Sequence, residues 1–161
     1  MIFLPATLKV INNIVQKSDS NIRENIGFLL AKASQRWNSL LYEKFREAKY
    51  HEVRPAYGSI LIPLFEEDGL QISVLAKRAR LSKQTMTTLL KLMEARGLVT
   101  RRPDERDARA SRIYLTEYGR RFKSVAVRVL GEMDELLSKR LSKRDISILR
   151  RCLRELMELE N

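Results

Sequence analysis

Between positions 83 and 91 six side chains carry hydrogen-bonding or charged groups, and none is acidic: Lys83, Gln84, Thr85, Thr87, Thr88 and Lys91. Among and after them, Met86, Leu89, Leu90 and Met93 recur at three- and four-residue spacing. This pattern predicts a helix whose apolar face meets a core and whose outer face is polar. Amide and hydroxyl groups match the donors and acceptors on base edges, and ammonium groups suit phosphates. A merely solvated face more often mixes both charge signs. Downstream, Pro103-Asp104-Glu105-Arg106-Asp107-Ala108-Arg109 forms a second polar concentration. An arginine on such a tip suits a narrow minor groove, where negative potential is concentrated. The chemistry is recognition of an anion with patterned edges rather than bond making.

The flanking sequence predicts the elements that hold these groups. Ser82 is placed to cap the helix at its start, and Gly97 to end it after Arg96. A short helix at 73–79 and a turn at Arg80-Leu81 precede it, giving a helix-turn-helix. Two β-prone runs follow, 98–101 and 111–115, with 102–110 as a long hairpin tip, together a two-stranded wing. Upstream, Ile26, Leu29, Leu30, Ala33, Trp37, Leu40, Leu41, Phe45 and Ala48 mark a long amphipathic helix from Asn25. Pro55 opens another at 57–65, which Pro63 should distort or stop. Downstream, Thr116 caps a helix carrying Phe122, Val125, Val129, Met133, Leu136 and Leu137. Ser142 with Asp145 forms a capping-box-like start for a last one bearing Ile146, Leu149, Leu153 and Leu156. The expected fold is mainly α with a small β-hairpin wing. Its expected domains are an N-terminal arm and dimerisation helix at 1–54, a winged helix-turn-helix lobe at 55–116, and C-terminal dimerisation helices at 117–161. Residues 1–24 read either as an extra helix or as an arm over a partner subunit.

Composition narrows the function classes. The chain has 161 residues, 44% hydrophobic and 32% charged, a globular mixture. Its formal charge is +11, and the stretch 71–112 holds eleven basic residues against four acids. A field so focused calls for an anionic partner. One cysteine and one histidine exclude an intramolecular disulfide framework and a zinc cluster, and fit a reducing cytoplasm. No metal or cofactor is expected. The N-terminal MIFLPATLKVINNIV lacks a basic leader and is broken by Pro5, so neither a signal peptide nor a membrane span is expected. No nucleophile elbow, Gly-rich phosphate loop or His-bearing metal motif points to an enzyme. The rival class is a winged helix used for protein docking, which would need apolar residues outward on the Ser82 helix. Cys152, beside Leu149, Leu153 and Leu156, reads as a buried small hydrophobe rather than a sensing thiol. Trp37, Arg36, Tyr57 and His51 read either as core and surface or as the lining of an effector pocket. The apolar stripes at 26–48, 122–137 and 146–156 exceed what one small winged lobe can cover, which implies a symmetric homodimer.

The segment LAKRARLSKQTMTTLLKLMEARGLVTRRPDERDARASRIYLTEYGR resembles the MarR (multiple antibiotic resistance regulator) family of bacterial and archaeal regulators. The similar features, in order, are Leu75-Ala76, Leu81-Ser82, Glu94-x-Arg96-Gly97-Leu98-Val99-x-Arg101, Asp107-x-Arg109 and Leu115-Thr116-x-x-Gly119. The resemblance implies a transcriptional regulator, usually a repressor, binding double-stranded DNA at a pseudo-palindromic operator as a homodimer. It implies dimerisation through the terminal helices and a small phenolic or anionic effector between dimer interface and DNA-binding lobe. Residue by residue, it puts base contacts on Gln84, Thr87 and Thr88, and puts Arg109 in the minor groove with Asp107 orienting it. The expected DNA-binding set is Ser82, Lys83, Gln84, Thr85, Thr87, Thr88, Lys91, Arg106, Asp107 and Arg109. Ala108 stands where many members carry a second wing arginine, a place Arg106 can fill. Residues 1–24 extend beyond the usual start.

Overall fold

The computed structural model describes residues 22–107 and 109–159. The chain divides into two compact units, Met1–Leu40 and Leu41–Asn161. Helix α1 (Ile26–Glu47) begins in the first and ends in the second. The elements after it are α2 (Gly58–Glu66), β1 (Leu70–Gln71), α3 (Ile72–Ala79), α4 (Lys83–Ala95), β2 (Val99–Pro103), β3 (Ser111–Leu115), α5 (Glu117–Ser138) and α6 (Lys143–Met157). A single 3₁₀ turn, Pro55–Tyr57, leads into α2.

In the first unit, Asn25 starts α1: its Oδ1 accepts from the amides of Gly27 at 2.9 Å and Phe28 at 3.3 Å. The apolar side chains Ile26, Phe28, Leu29 and Leu30 that follow are exposed. Of the expected extra helix or arm at 1–24, only Ile22 to Glu24 fall within the described residues; the rest lies outside them.

The core of the second unit is built where the apolar spacing points. Leu75 of α3, Met86, Leu90 and Met93 of α4, Leu98, and Ile113 of β3 are fully buried together with Ile60, Leu61 and Leu64 of α2. Around Phe122 of α5 an aromatic cluster forms: Phe45 meets it edge-on at 5.0 Å between ring centres, and Tyr50 lies at 4.9 Å. Lys44 donates to Glu132, tying the end of α1 to α5 at 2.5 Å.

Several boundaries differ from the sequence expectation. Pro63 does not end α2, which runs to Glu66. A proline removes only its own amide donor, and one missing bond in a largely apolar, buried helix is outweighed by packing. The wing is a three-stranded antiparallel sheet of order β1-β3-β2, not a two-stranded hairpin. Strand β1 is two residues long, Leu70 facing Ile113 and Gln71 facing Arg112, too short to leave an alternating pattern. β2 reaches Pro103, so the tip is 104–110. Leu89 is half-buried, beside the fully buried Met86, Leu90 and Met93. None of the residues of α6 is buried, and Cys152, expected inside, is exposed. The apolar stripe of α6 is real, but the described residues cover it only in part: Ile146 is half-buried, while Leu149, Leu153 and Leu156 are exposed.

Candidate nucleic-acid interface

Two helix ends fix the position of α4. At the end of α3 the backbone turns through Arg80 at φ +50°, with Leu81 N–H donating to Ala76 O (3.1 Å) and Arg80 N–H to Lys77 O (3.2 Å). This is the paired closure usually built on glycine, here on an arginine. Two residues on, Ser82 Oγ accepts from Thr85 N–H at 3.1 Å, so α4 starts where expected. At its other end Gly97 takes φ +67°, with Leu98 N–H on Met93 O and Gly97 N–H on Glu94 O. With Met86, Leu90 and Met93 buried, rotation of α4 is fixed. Lys83, Gln84, Thr85, Thr88 and Lys91 are exposed and Thr87 is half-buried.

The threonines are more constrained than the sequence indicates. Thr87 Oγ1 donates to Lys83 O at 2.8 Å and Thr88 Oγ1 to Gln84 O at 3.1 Å. Their hydroxyl protons are committed to their own helix. What each can offer outward is an oxygen lone pair and a methyl group, a match for an amino donor of adenine or cytosine or for a thymine methyl.

The wing is held by an aspartate that sequence reasoning counted only as an acid. Asp104 is the one buried charged residue among those described. Its Oδ2 accepts from Gln71 Nε2 (2.8 Å) and Arg112 Nε (2.6 Å), and its Oδ1 from Arg106 N–H (2.8 Å). Arg112 also donates to Gly69 O at 2.8 Å. The Gln71 hydrogen bond, then the Arg106 amide and Arg112, hold its carboxyl at a pKa of about 2. One carboxylate thereby fastens β1, β3 and the wing loop. The available signal was the order Pro103-Asp104-x-Arg106, in which an aspartate can accept from the amide two residues on.

At the tip, Asp107 Oδ1 accepts from the amide of Arg109 at 2.9 Å, and Asp107 O accepts from Ala110 N–H at 2.9 Å. The aspartate therefore positions Arg109 through its backbone, and no ion pair joins their side chains among the described residues. Arg106, Asp107 and Arg109 are exposed. Arg102 lies over the Tyr114 ring at 5.0 Å. Arg101 reaches Glu94 at 3.3 Å, joining β2 to α4 and so fixing wing against helix.

The eleven cations of 71–112 divide accordingly. Arg78, Arg80, Arg96, Arg101 and Arg112 are paired with Glu67, Glu158, Glu52, Glu94 and Asp104. Lys77, Lys83, Lys91, Arg102, Arg106 and Arg109 make no ion pair among the described residues. The paired set builds the lobe; the unpaired set includes both ends of the exposed face of α4 and the wing. Of the expected pocket residues, Tyr57 is buried in the core, Trp37 is half-exposed, and Arg36 and His51 are exposed. Among the described residues no cluster of three or more His, Cys, Asp or Glu side chains is placed to hold a metal, and no helix is long and apolar enough to cross a membrane.

Comparison with known proteins gives concordant results. A profile described as MarR family matches residues 61–110. The organic hydroperoxide resistance transcriptional regulator of Bacillus subtilis is 32% identical over 142 residues, covering 88% of this chain and 94% of that protein. The HTH-type transcriptional regulator TtmR of Methylorubrum extorquens is 39% identical over 85 residues, and there the match covers 53% of this chain and 40% of TtmR. Among solved structures, the transcriptional repressor CouR bound to a 23-mer DNA duplex shares the fold, with a TM-score of 0.74 and 21% identity over 85% of this chain and 95% of CouR.

Proposed function

Because the chain belongs to the MarR family of transcriptional regulators, we propose that it is a sequence-specific repressor binding a pseudo-palindromic operator as a homodimer. In this reading α4 enters the major groove, about 12 Å wide, and the wing follows the adjacent minor groove. Gln84, Thr87 and Thr88 select bases, while Lys83, Lys91 and Ser82 with Thr85 hold phosphates. Arg109, placed by Asp107, enters the minor groove with Arg106 beside it. The carrying observation is the division of cations: those on the outer face of α4 and at the wing tip have no acidic partner among the described residues, and five others form ion pairs that build the lobe. The reading is of a cytoplasmic binding protein, not an enzyme, with a small-molecule effector releasing the DNA.

The test is selection of bound fragments from a random duplex pool, followed by titration of the recovered site against scrambled DNA. A specific regulator should discriminate by at least about a thousandfold at physiological salt. Equal affinity for both would reject the reading in favour of a docking module or a non-specific binder.

A further inference from the structure

The winged lobe does not contain all of the excess positive charge. Residues 139–154 hold seven basic side chains, Lys139, Arg140, Lys143, Arg144, Arg150, Arg151 and Arg154, against the single acid Asp145. All seven are exposed. Arg150 pairs with Asp134 of α5 at 3.1 Å; the other six make no ion pair among the described residues. Arg150 and Arg154 are four apart on α6, and Arg151 and Arg154 three apart, so like charges face one another and work against the helix. An arrangement that costs stability in the free chain is relieved by an anion.

The shape of the surface says what kind of anion. A hollow of about 420 Å³ lies between α5 and α6, with Lys143, Arg150 and Arg154 and the one acid Asp134, with which Arg150 pairs, around Leu137 and Ile146; Ser147 also lines it. A second, of about 440 Å³, is lined by Arg144, Ser147, Ile148 and Arg151. Ser147 belongs to both, so the two hollows adjoin side by side on α6. The first is a furrow against α5 that runs about 16 Å from Lys143 to Arg154, at 1.5 Å per helical residue. A compact anion would occupy one hollow; an extended polyanion would occupy both. At its far end α6 meets the reading lobe: the Arg80 guanidinium, at the turn before α4, donates to Met157 O and pairs with Glu158 at 2.8 Å. The apolar residues Leu149, Leu153 and Leu156 lie on a neighbouring face of the helix, so a second copy seated on them leaves the cations open.

We propose that the cationic face of α6 is a second phosphate-binding strip, which takes the sugar-phosphate backbone of duplex DNA flanking the operator. The inference rests on the reading that this protein binds operator DNA. It adds a contact outside the winged helix, one that lengthens the footprint without reading bases.

The experiment uses the full-length protein and the operator duplex recovered by selection, either alone or extended by about one helical turn at each end. Affinity is followed against KCl. For the parent, the flanks should tighten binding at least tenfold at low salt. They should also steepen the salt dependence by about 0.9 per additional phosphate contacted. The K143Q/R144Q/R151Q/R154Q variant leaves the Arg150–Asp134 pair in place. It should bind the short operator as the parent does and gain nothing from the flanks. A thermal melt confirms its fold, and the R151Q/R154Q pair, with a smaller gain from the flanks expected, serves if the fourfold variant fails to fold. A fourfold variant that gains as much from the flanks as the parent overturns the strip. So does inorganic tripolyphosphate that saturates the parent at micromolar concentration while leaving the flank effect intact, since the furrow would then hold a compact anion. Failure of the parent to bind the operator at all overturns the DNA-binding reading as well, whereas flank-independent operator binding overturns the strip alone.

Discussion

At the residue scale, specificity depends on which atoms remain available. Thr87 and Thr88 give their hydroxyl protons to Lys83 O and Gln84 O, so each can only accept or offer a methyl. Replacing both with valine keeps the methyls and removes the oxygens. Discrimination of operator from scrambled DNA should then fall by up to about 1–3 kcal/mol for each base these oxygens read, with scrambled-DNA affinity unchanged. A valine variant that discriminates as the parent does would mean that the methyls do the reading. Asp107 presents a sharper case, because simple electrostatics gives the opposite sign. Removing an acid near phosphate should strengthen binding, yet Asp107 Oδ1 fixes the Arg109 amide. We therefore expect Asp107→Ala to weaken operator affinity. Arg109→Ala should weaken it too and reduce the salt slope by about one unit, with the fold intact. Tighter binding by Asp107→Ala would reduce the aspartate to a surface charge.

At the scale of elements, two fastenings hold the wing to the helices. Gly119, in the first turn of α5, lies under the Leu98 carbonyl: a Cβ there would come within 2.2 Å of that oxygen. Thr116 joins the same place, its N–H donating to Leu98 O at 3.1 Å and its Oγ1 accepting from Gly119 N–H at 3.0 Å. The glycine in Leu115-Thr116-x-x-Gly119 is thus needed for close approach. Gly119→Ala should destabilise by at least about 1–3 kcal/mol, the cost of overpacking, read as a fall in thermal midpoint. Asp104 provides the second fastening. Its pKa of about 2 lies below the ordinary 3.8, so the stability it contributes is complete above about pH 4. That contribution is lost as pH falls from there through 2. Amide exchange in β1 and β3 should accelerate over that window. Asp104→Asn should remove the pH dependence and loosen the wing at neutral pH; identical exchange in both proteins would show that the carboxylate does not hold the sheet.

At the scale of the molecule, the apolar surface that the described residues leave exposed suits a partner. Leu149, Leu153 and Leu156 of α6 are exposed at spacings that keep them near one another on the helix, and Val127, Leu130 and Leu136 of α5 are exposed as well. A face of this size on a helix with no buried residue is costly in water and suits an isologous contact with a second copy. Sedimentation should give twice the 18.8 kDa chain mass. Leu149→Glu with Leu153→Glu should give a folded monomer that loses operator affinity and keeps weak non-specific binding. A parent that sediments as a monomer would remove the basis for a palindromic site.

What the sequence by itself determined follows from local physics. Helix starts at Ser82, Thr116 and Ser142 were legible because a capping side chain needs only its own next three residues. The end at Gly97 was legible because one residue type favours positive φ. The buried set Met86, Leu90 and Met93 of α4 followed from periodicity, as did the polar side that carries Gln84 and Thr88, whereas Leu89 and Thr87 lie half-buried at the boundary. Tertiary structure decided what depends on residues distant in sequence. Strand β1 exists because Gln71 lies against Arg112, and Asp104 is a structural hub because Gln71 and Arg112 converge on it. Which arginines stay unpaired also depends on acids elsewhere, such as Glu52 for Arg96 and Glu158 for Arg80. Burial is the clearest instance. The stripe beside Cys152 reads as interior from its spacing, but spacing reports only that a face is apolar, and what covers that face lies beyond its own chain segment.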